Sequence, residues 1–351
     1  MNILRLRTSE KYILDTVVPH LVEDPTKRFI YVETAYFWRW WEEQNDKMKS
    51  KVRKLIENGQ LEFILGGWCM NDEATVHYTA MIQQLSLGVD YLSSLFGECG
   101  HPLIGWQIDP FGHSKVQAEI FAKAQFDGLF FGRADYQDKN NRQANRSMEF
   151  IWQSVESESF NAGSLFTGLN EHGYNPPDGF CYDWVCEGDD PIMDDPRLND
   201  YNVDDVIKRF KAAAEDQRKH FQGNNIMMTM GSDFQYRNAY MWYKNLDKLI
   251  KYVNAADVGL NLFYSTPSCY LKSKHEDFTG TVLETSSLME EVTDDFFPYA
   301  DGPHMFWTGY FTSRAALKRY VRESNPILNQ CKRKSFEFYA VISYPLYFES
   351  F

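Results

Sequence analysis

Apolar runs and amphipathic stretches alternate along the first 140 residues. "RFIYVETAYF" (28–37) reads as a buried strand and "WRWWEEQNDKMKSKVRKLIENG" (38–59) as one charged amphipathic helix stopped by Gly59. The cycle repeats. "LEFILGGW" (61–68) is a second strand; "NDEATVHYTAMIQQLSLGVDYLSSLFG" (71–97) is a helix with Asn71 as its cap and Asp72 and Glu73 in its first turn. "LIGWQID" (103–109) is a third strand. Ser114 and Gln117, at capping-box spacing, open the helix "AEIFAKAQF", and "GLFFGRADY" (128–136) is a fourth strand.

Beyond residue 140 the pattern loosens. "NRSMEFIWQSV" and "AGSLFTGL" read as strands, and "NEHGYNPPDGFCYDWVCEGDDPIMDDPRLND" (170–200) is a long Gly-, Pro- and Asp-rich loop. Periodicity then returns: a helix over "VDDVIKRFKAAAEDQRKHF", a strand over "NIMMTMGSDF", a helix over "NAYMWYKNLDKLIKYVNAA" and a strand over "LNLFYSTP". Strands alternating with helices predict an α/β fold with a mostly parallel sheet, wound open or closed as a barrel. Neither a glycine-rich dinucleotide fingerprint nor a P-loop is present.

Composition narrows the field. With 351 residues, 44% hydrophobic and 24% charged, the chain has the make-up of a soluble globular protein. Its 36 Lys plus Arg stand against 49 Asp plus Glu, a net charge of -13, which argues against a nucleic-acid footprint. No apolar run approaches the ~20 residues of a spanning helix, and Arg5, Arg7, Glu10 and Lys11 break the start where a signal peptide needs an apolar stretch. Cys181 and Cys186 in "CYDWVC" are spaced for a short disulfide loop or are two buried thiols; both readings stand. Asn145, in Asn-Arg-Ser, is an N-glycosylation acceptor if the chain enters the secretory pathway.

The candidate chemistry sits at strand ends. "GWQIDPFGHS" runs an apolar strand into Asp109, then breaks at Pro110 and Gly112. "MMTMGSDFQY" does the same with Asp233. Acids beyond the carboxyl ends of parallel strands are placed for catalysis, and a pair of them fits a retaining glycosidase, although turn or cap aspartates look the same. Arg133 in "FFGRADY" ends a strand too, free either to hold a carboxylate or sugar hydroxyl in the site or to pair with Asp135 or Asp138. His77, His101 and His113 share no metal-ligand spacing with other residues and read as structural. "GGWCMNDEA" fits close backbone packing by its glycines and helix initiation by its acids.

The runs "RFIYVETAYFWRWW", "GGWCMNDEATVHY", "WQIDPFGHSKVQAEIFA", "FDGLFFGRADYQDK", "MTMGSDFQY", "FYSTPSCY" and "FWTGYFTSRAALKRY" resemble glycoside hydrolase family 38, in its lysosomal acid α-mannosidase branch, from about residue 11 to about 331. The resemblance implies a retaining enzyme that removes terminal α-linked mannose from N-glycans in the lysosome with one zinc ion. It implies Asp109 as nucleophile and zinc ligand, Asp233 as general acid and base, and Phe111, Arg133 and Trp307 as mannose contacts. The family's His-x-Asp strand and a later His-Asp segment, which supply the other zinc ligands, have no counterpart here, and "NQCKRKSFEFYAVISYPLYFESF" leaves the family pattern.

The expected architecture is therefore a mostly parallel, seven-stranded barrel-like catalytic domain (1–301) lacking its first strand, then the start of a helical bundle (302–351) with a divergent tail. The expected partners are mannose-containing oligosaccharides, with homo-oligomers open. Low or absent turnover is expected of a family member truncated at both ends. A noncatalytic mannose-binding remnant is the alternative, and a polysaccharide deacetylase would need two metal-placed histidines that are not found near Asp109.

Overall fold

The computed structural model describes residues 3–153, 163–186, 189–279 and 289–343. Helix α1 (Ile3–Glu23) leads into β1 (Phe29–Tyr31), α2 (Thr34–Glu42), α3 (Asp46–Glu57) and β2 (Leu61–Phe63). Then come α4 (Tyr78–Phe96), β3 (Ile104–Gln107), α5 (Lys115–Lys123), β4 (Gly128–Phe131), α6 (Tyr136–Asn145), β5 (Glu149–Gln153) and β6 (Ser164–Leu169). Helices α7 (Val203–Arg218), α8 (Ala239–Ala255) and α9 (Pro267–Thr279), strand β7 (Glu291–Val292), and helices α10 (Gly309–Thr312) and α11 (Ala315–Ser343) complete the order.

The α/β expectation holds; the seven-stranded, mostly parallel barrel does not. Among the described residues β1 and β2 form a parallel pair, and a separate five-stranded mixed sheet runs β3-β4-β6-β5-β7, with β5 antiparallel to β6. One bond, Leu65 N to Ile104 O at 2.7 Å, ties the two sheets edge to edge. The far edge of β1 is open: residues 29 and 31 bond toward β2, which turns the backbone of Ile30 away from it. There the expected strand over "NIMMTMGSDF" has no regular secondary structure, and no described residue accepts a backbone bond from the amides of Ile226–Gly231. An apolar sequence makes a strand only where a neighbour offers a ladder. The apolar side chains of this stretch instead line a cavity of about 770 Å³, together with Ile30, Tyr243, Leu260 and Tyr264.

Two helix expectations are also corrected. The amphipathic run 38–59 is split into α2 and α3, because Asn45 accepts a bond from Met48 N and starts a new helix. Helix α4 begins at Tyr78 with His77 as its cap, not at Asn71, because Asp72 turns 72–75 into a side-chain-capped loop by accepting from the amides of Ala74 and Thr75.

Two cores hold the layers. One packs Trp40, Trp41, Phe210 and Trp242 from the helices around β1 and β2; the other buries Phe131, Phe150 and Trp152 of the larger sheet. Each such side chain removed from water contributes ~1.5–3 kcal/mol. Interior strand β4, "GLFF", is buried at all four positions, as expected of a parallel strand covered on both faces.

Candidate active site

Strands β3, β4 and β6 are mutually parallel neighbours, so their carboxyl ends open on one side, and each is followed by a loop carrying one polar side chain of the site. Asp109 follows β3, Arg133 follows β4, and Tyr174 follows β6. Gly132 permits the approach: a Cβ there would stand 2.8 Å from Ile108 O and 3.1 Å from Gly173 Cα, the backbones of the two flanking loops.

Arg133 is the joint. Its Nε donates to the Asp109 carbonyl at 3.1 Å and its Nη2 to Asp109 Oδ1 at 3.2 Å. The sequence left open a pairing with Asp135 or Asp138; instead Asp135 caps α6 and Asp138 accepts from Arg142. Because Asp109 is exposed, the ion pair contributes only ~0–1 kcal/mol to stability, and its effect is orientation. Nη2 also donates to Tyr174 Oη at 3.3 Å, and Tyr174 Oη donates in turn to Asp233 Oδ2 at 3.4 Å. The two acids, 124 residues apart in sequence (233 − 109), thus belong to one hydrogen-bonded chain. Burial, then the charge of Asp233, pushes the Tyr174 phenol above its usual value, so it remains a proton donor.

Asp233 is exposed and follows an irregular segment, not a strand. Its segment is held from below. Ser232 Oγ donates to Asn175 Oδ1 and Thr229 Oγ1 to Asn175 O, locking it to the Tyr174 loop. Phe234 and Tyr236 adopt left-handed backbone at φ 61° and 64°, a strained turn for bulky residues. Cys181 and Cys186 are paired, their Cα atoms 6.0 Å apart. The loop they close carries Asp183, whose Oδ2 accepts from Tyr236 N at 3.0 Å and Trp242 Nε1 at 3.2 Å.

The expected sugar contacts are gathered here. Arg133 lies 4.7 Å over the Trp307 ring, and Phe111 stacks on Tyr310 at 4.4 Å with Trp307 at 6.3 Å. Three participants escaped the sequence reading. Tyr174 was hidden in the long polar loop, although its Gly-Tyr-Asn-Pro-Pro context marked a constrained turn. Tyr299 lies beside Arg133 and packs edge-on against the Trp307 ring at 5.2 Å. Glu33, at the end of "IYVE", lines the cavity with Glu10 and Asp233; burial first, then the charge of Asp109, raises its pKa. Burial and then Glu33 raise that of Glu10.

Among the described residues no three His, Cys, Asp or Glu side chains gather closely enough to ligate an ion. Asp109 and its described neighbours do not by themselves make up a zinc centre. Asn145 is exposed in the last turn of α6, bonding Asn141. No described helix is long and apolar enough to cross a membrane.

Comparison with known proteins agrees with this geometry. The family model described as the glycosyl hydrolases family 38 N-terminal domain matches residues 3–302. Lysosomal alpha-mannosidase of Cavia porcellus is 49% identical over 327 residues, covering 92% of this chain and 32% of that protein. Its Homo sapiens counterpart is 49% identical, covering 92% and 31%, and that of Dictyostelium discoideum 47%, covering 91% and 30%. The chain thus spans about a third of the length of these relatives. An alpha-mannosidase structure from Enterococcus faecalis superposes with a TM-score of 0.62 at 16% identity, covering 84% of this chain and 29% of that one, a likeness of fold. With a family model matching 300 of its 351 residues (3 to 302), the chain belongs to glycosyl hydrolase family 38.

Proposed function

We propose that this chain carries the catalytic carboxylates of a retaining α-mannosidase acting on terminal α-linked mannose of N-glycans in the lysosome. The observation that carries the reading is the continuous link Asp109–Arg133–Tyr174–Asp233. In the proposed reaction Asp109 attacks the anomeric carbon as Asp233 protonates the departing oxygen; water then attacks the same carbon, giving its proton to Asp233 and displacing the Asp109 carboxylate. Arg133 holds Asp109 Oδ1, leaving Oδ2 for attack. Phe111 and Trp307 offer apolar faces to the sugar ring.

Zinc belongs to this reading only through the family, with Asp109 as its one ligand in this chain. The proposed turnover of the isolated chain is accordingly weak. The domain division at 301/302 is likewise part of the proposal.

Release of nitrophenol from an aryl α-mannoside at acidic pH, with and without added zinc, tests it. Weak turnover that falls ~10²-fold or more in Asp109→Asn and in Asp233→Asn is expected. Mannose binding that ignores Asp233→Asn, without turnover under either condition, would favour a sugar-binding remnant, for which the Phe111–Tyr310–Trp307 cluster speaks.

A further inference from the structure

Glu73 belongs to none of the contacts above, and it is buried. It lies in the loop before α4, where the spacing of acids suggested helix initiation, yet its carboxylate points into the sheet. Oε1 accepts from Gln107 Nε2 at 2.9 Å and from His113 Nδ1 at 2.8 Å; Oε2 accepts from Ser114 N at 2.7 Å. Gln107 ends β3, and His113 and Ser114 lead into α5. A single carboxylate therefore gathers both ends of the loop 108–112, which carries Asp109 and Phe111.

The surroundings reinforce it. The carboxylate only accepts, so His113 Nδ1 bears the hydrogen, and the imidazole lies 4.3 Å from the Phe131 ring. His113 exchanges two backbone bonds with Phe296, at 3.0 and 2.8 Å. Gly112, just before His113, has φ +122°, and a Cβ there would collide with the Phe297 ring. On the other side Asn71 donates to Gln117 Oε1 at 2.8 Å and accepts from Gln84 Nε2 at 3.0 Å, tying the Glu73 loop to α5 and α4.

We propose that Glu73 is a positioning residue for Asp109, clamping the two ends of its loop through Gln107, His113 and Ser114. The proposal rests on the reading of Asp109 as nucleophile for its catalytic meaning, but not for the clamp itself. Removing one acceptor frees the loop ends to part, and displacement of a reacting group by about 1 Å is enough to slow a reaction ~10²-fold.

The test is Glu73→Gln in the full chain, isosteric but with a donor in place of one acceptor, followed by amide hydrogen exchange read by mass spectrometry. The decisive amides are those of His113 and Phe296, whose N–H groups donate to each other's carbonyls and not to Glu73. Expected is exchange there at least about tenfold faster, with α7 unchanged as the control. With the aryl α-mannoside, kcat should fall ~10²-fold with KM little changed, and Glu73→Gln should add nothing in an Asp109→Asn background. Unchanged exchange at His113 and Phe296 overturns the clamp whatever the turnover. Faster exchange in a protein whose wild type never hydrolyses the mannoside upholds the clamp and removes the reading of Asp109. Should Glu73→Gln fail to fold, Gln107→Met removes one donor; a smaller rise at the same amides supports the clamp, and no rise overturns it.

Discussion

A phenol separates the two acids and tells them apart. Tyr174 Oη receives from Arg133 and gives to Asp233, so it passes the guanidinium's polarisation to one carboxylate while Arg133 holds the other directly. Tyr174→Phe deletes one hydroxyl at a half-exposed position. Thermal stability should change by less than ~1.5 kcal/mol, while kcat on an aryl α-mannoside should fall roughly tenfold or more, as comparison of melting curves and initial rates will check. Asp109 and Arg133 were legible because each ends a short apolar run, a local signal. Tyr174 and Glu73 were not, because their partners lie 59 and 40 residues away, at Asp233 and His113, and nothing local distinguishes a buried acid from one that starts a helix.

Elements were legible where their own residues decide them and obscure where a neighbour does. Helices α7 and α8 fell where periodicity placed them, since amphipathicity is written in the segment itself. The 38–59 run was misread as one helix because the Asn45 cap interrupts a pattern that stays amphipathic on both sides. The run over 225–234 was misread as a strand because its β character needs a partner ladder. At this scale the disulfide loop is informative. It presents Asp183 to Tyr236 and Trp242, and Gln235 Nε2 donates to Cys181 Sγ at 3.1 Å. Replacing Cys181 and Cys186 by Ala opens a loop of sequence separation 5, a loss of roughly 2 kcal/mol on the chain-entropy account. A lower denaturant midpoint is expected, with faster amide exchange at Phe234–Tyr236 and none of that change near Asp109.

For the whole molecule, charge and burial combine into a pH dependence. Glu10 and Glu33 have raised pKa values, first through burial. Their protonated forms favour the fold, so their support is complete below the ordinary value of 4.5 and is lost as pH rises through the raised values. Glu62 and Glu149, raised by burial too, act in the same direction. His172, lowered by burial, acts oppositely as pH falls below its ordinary 6.5. Asp24, held down to about 2 chiefly by Lys27, matters only in stronger acid. The double variant Glu10→Gln, Glu33→Gln isolates the first pair. Its thermal midpoint should exceed that of wild type at pH 7, and the difference should shrink toward pH 5.

The open flank of β1 has a colloidal consequence. The amide and carbonyl of Ile30, turned away from β2 beside an oily trough, are a template for an extended polypeptide, and at high concentration the nearest such polypeptide is another molecule of the same protein. Light scattering that climbs with protein concentration, and that recedes when Ile30 is replaced by lysine, would be the macroscopic signature of a sheet seeking its neighbour.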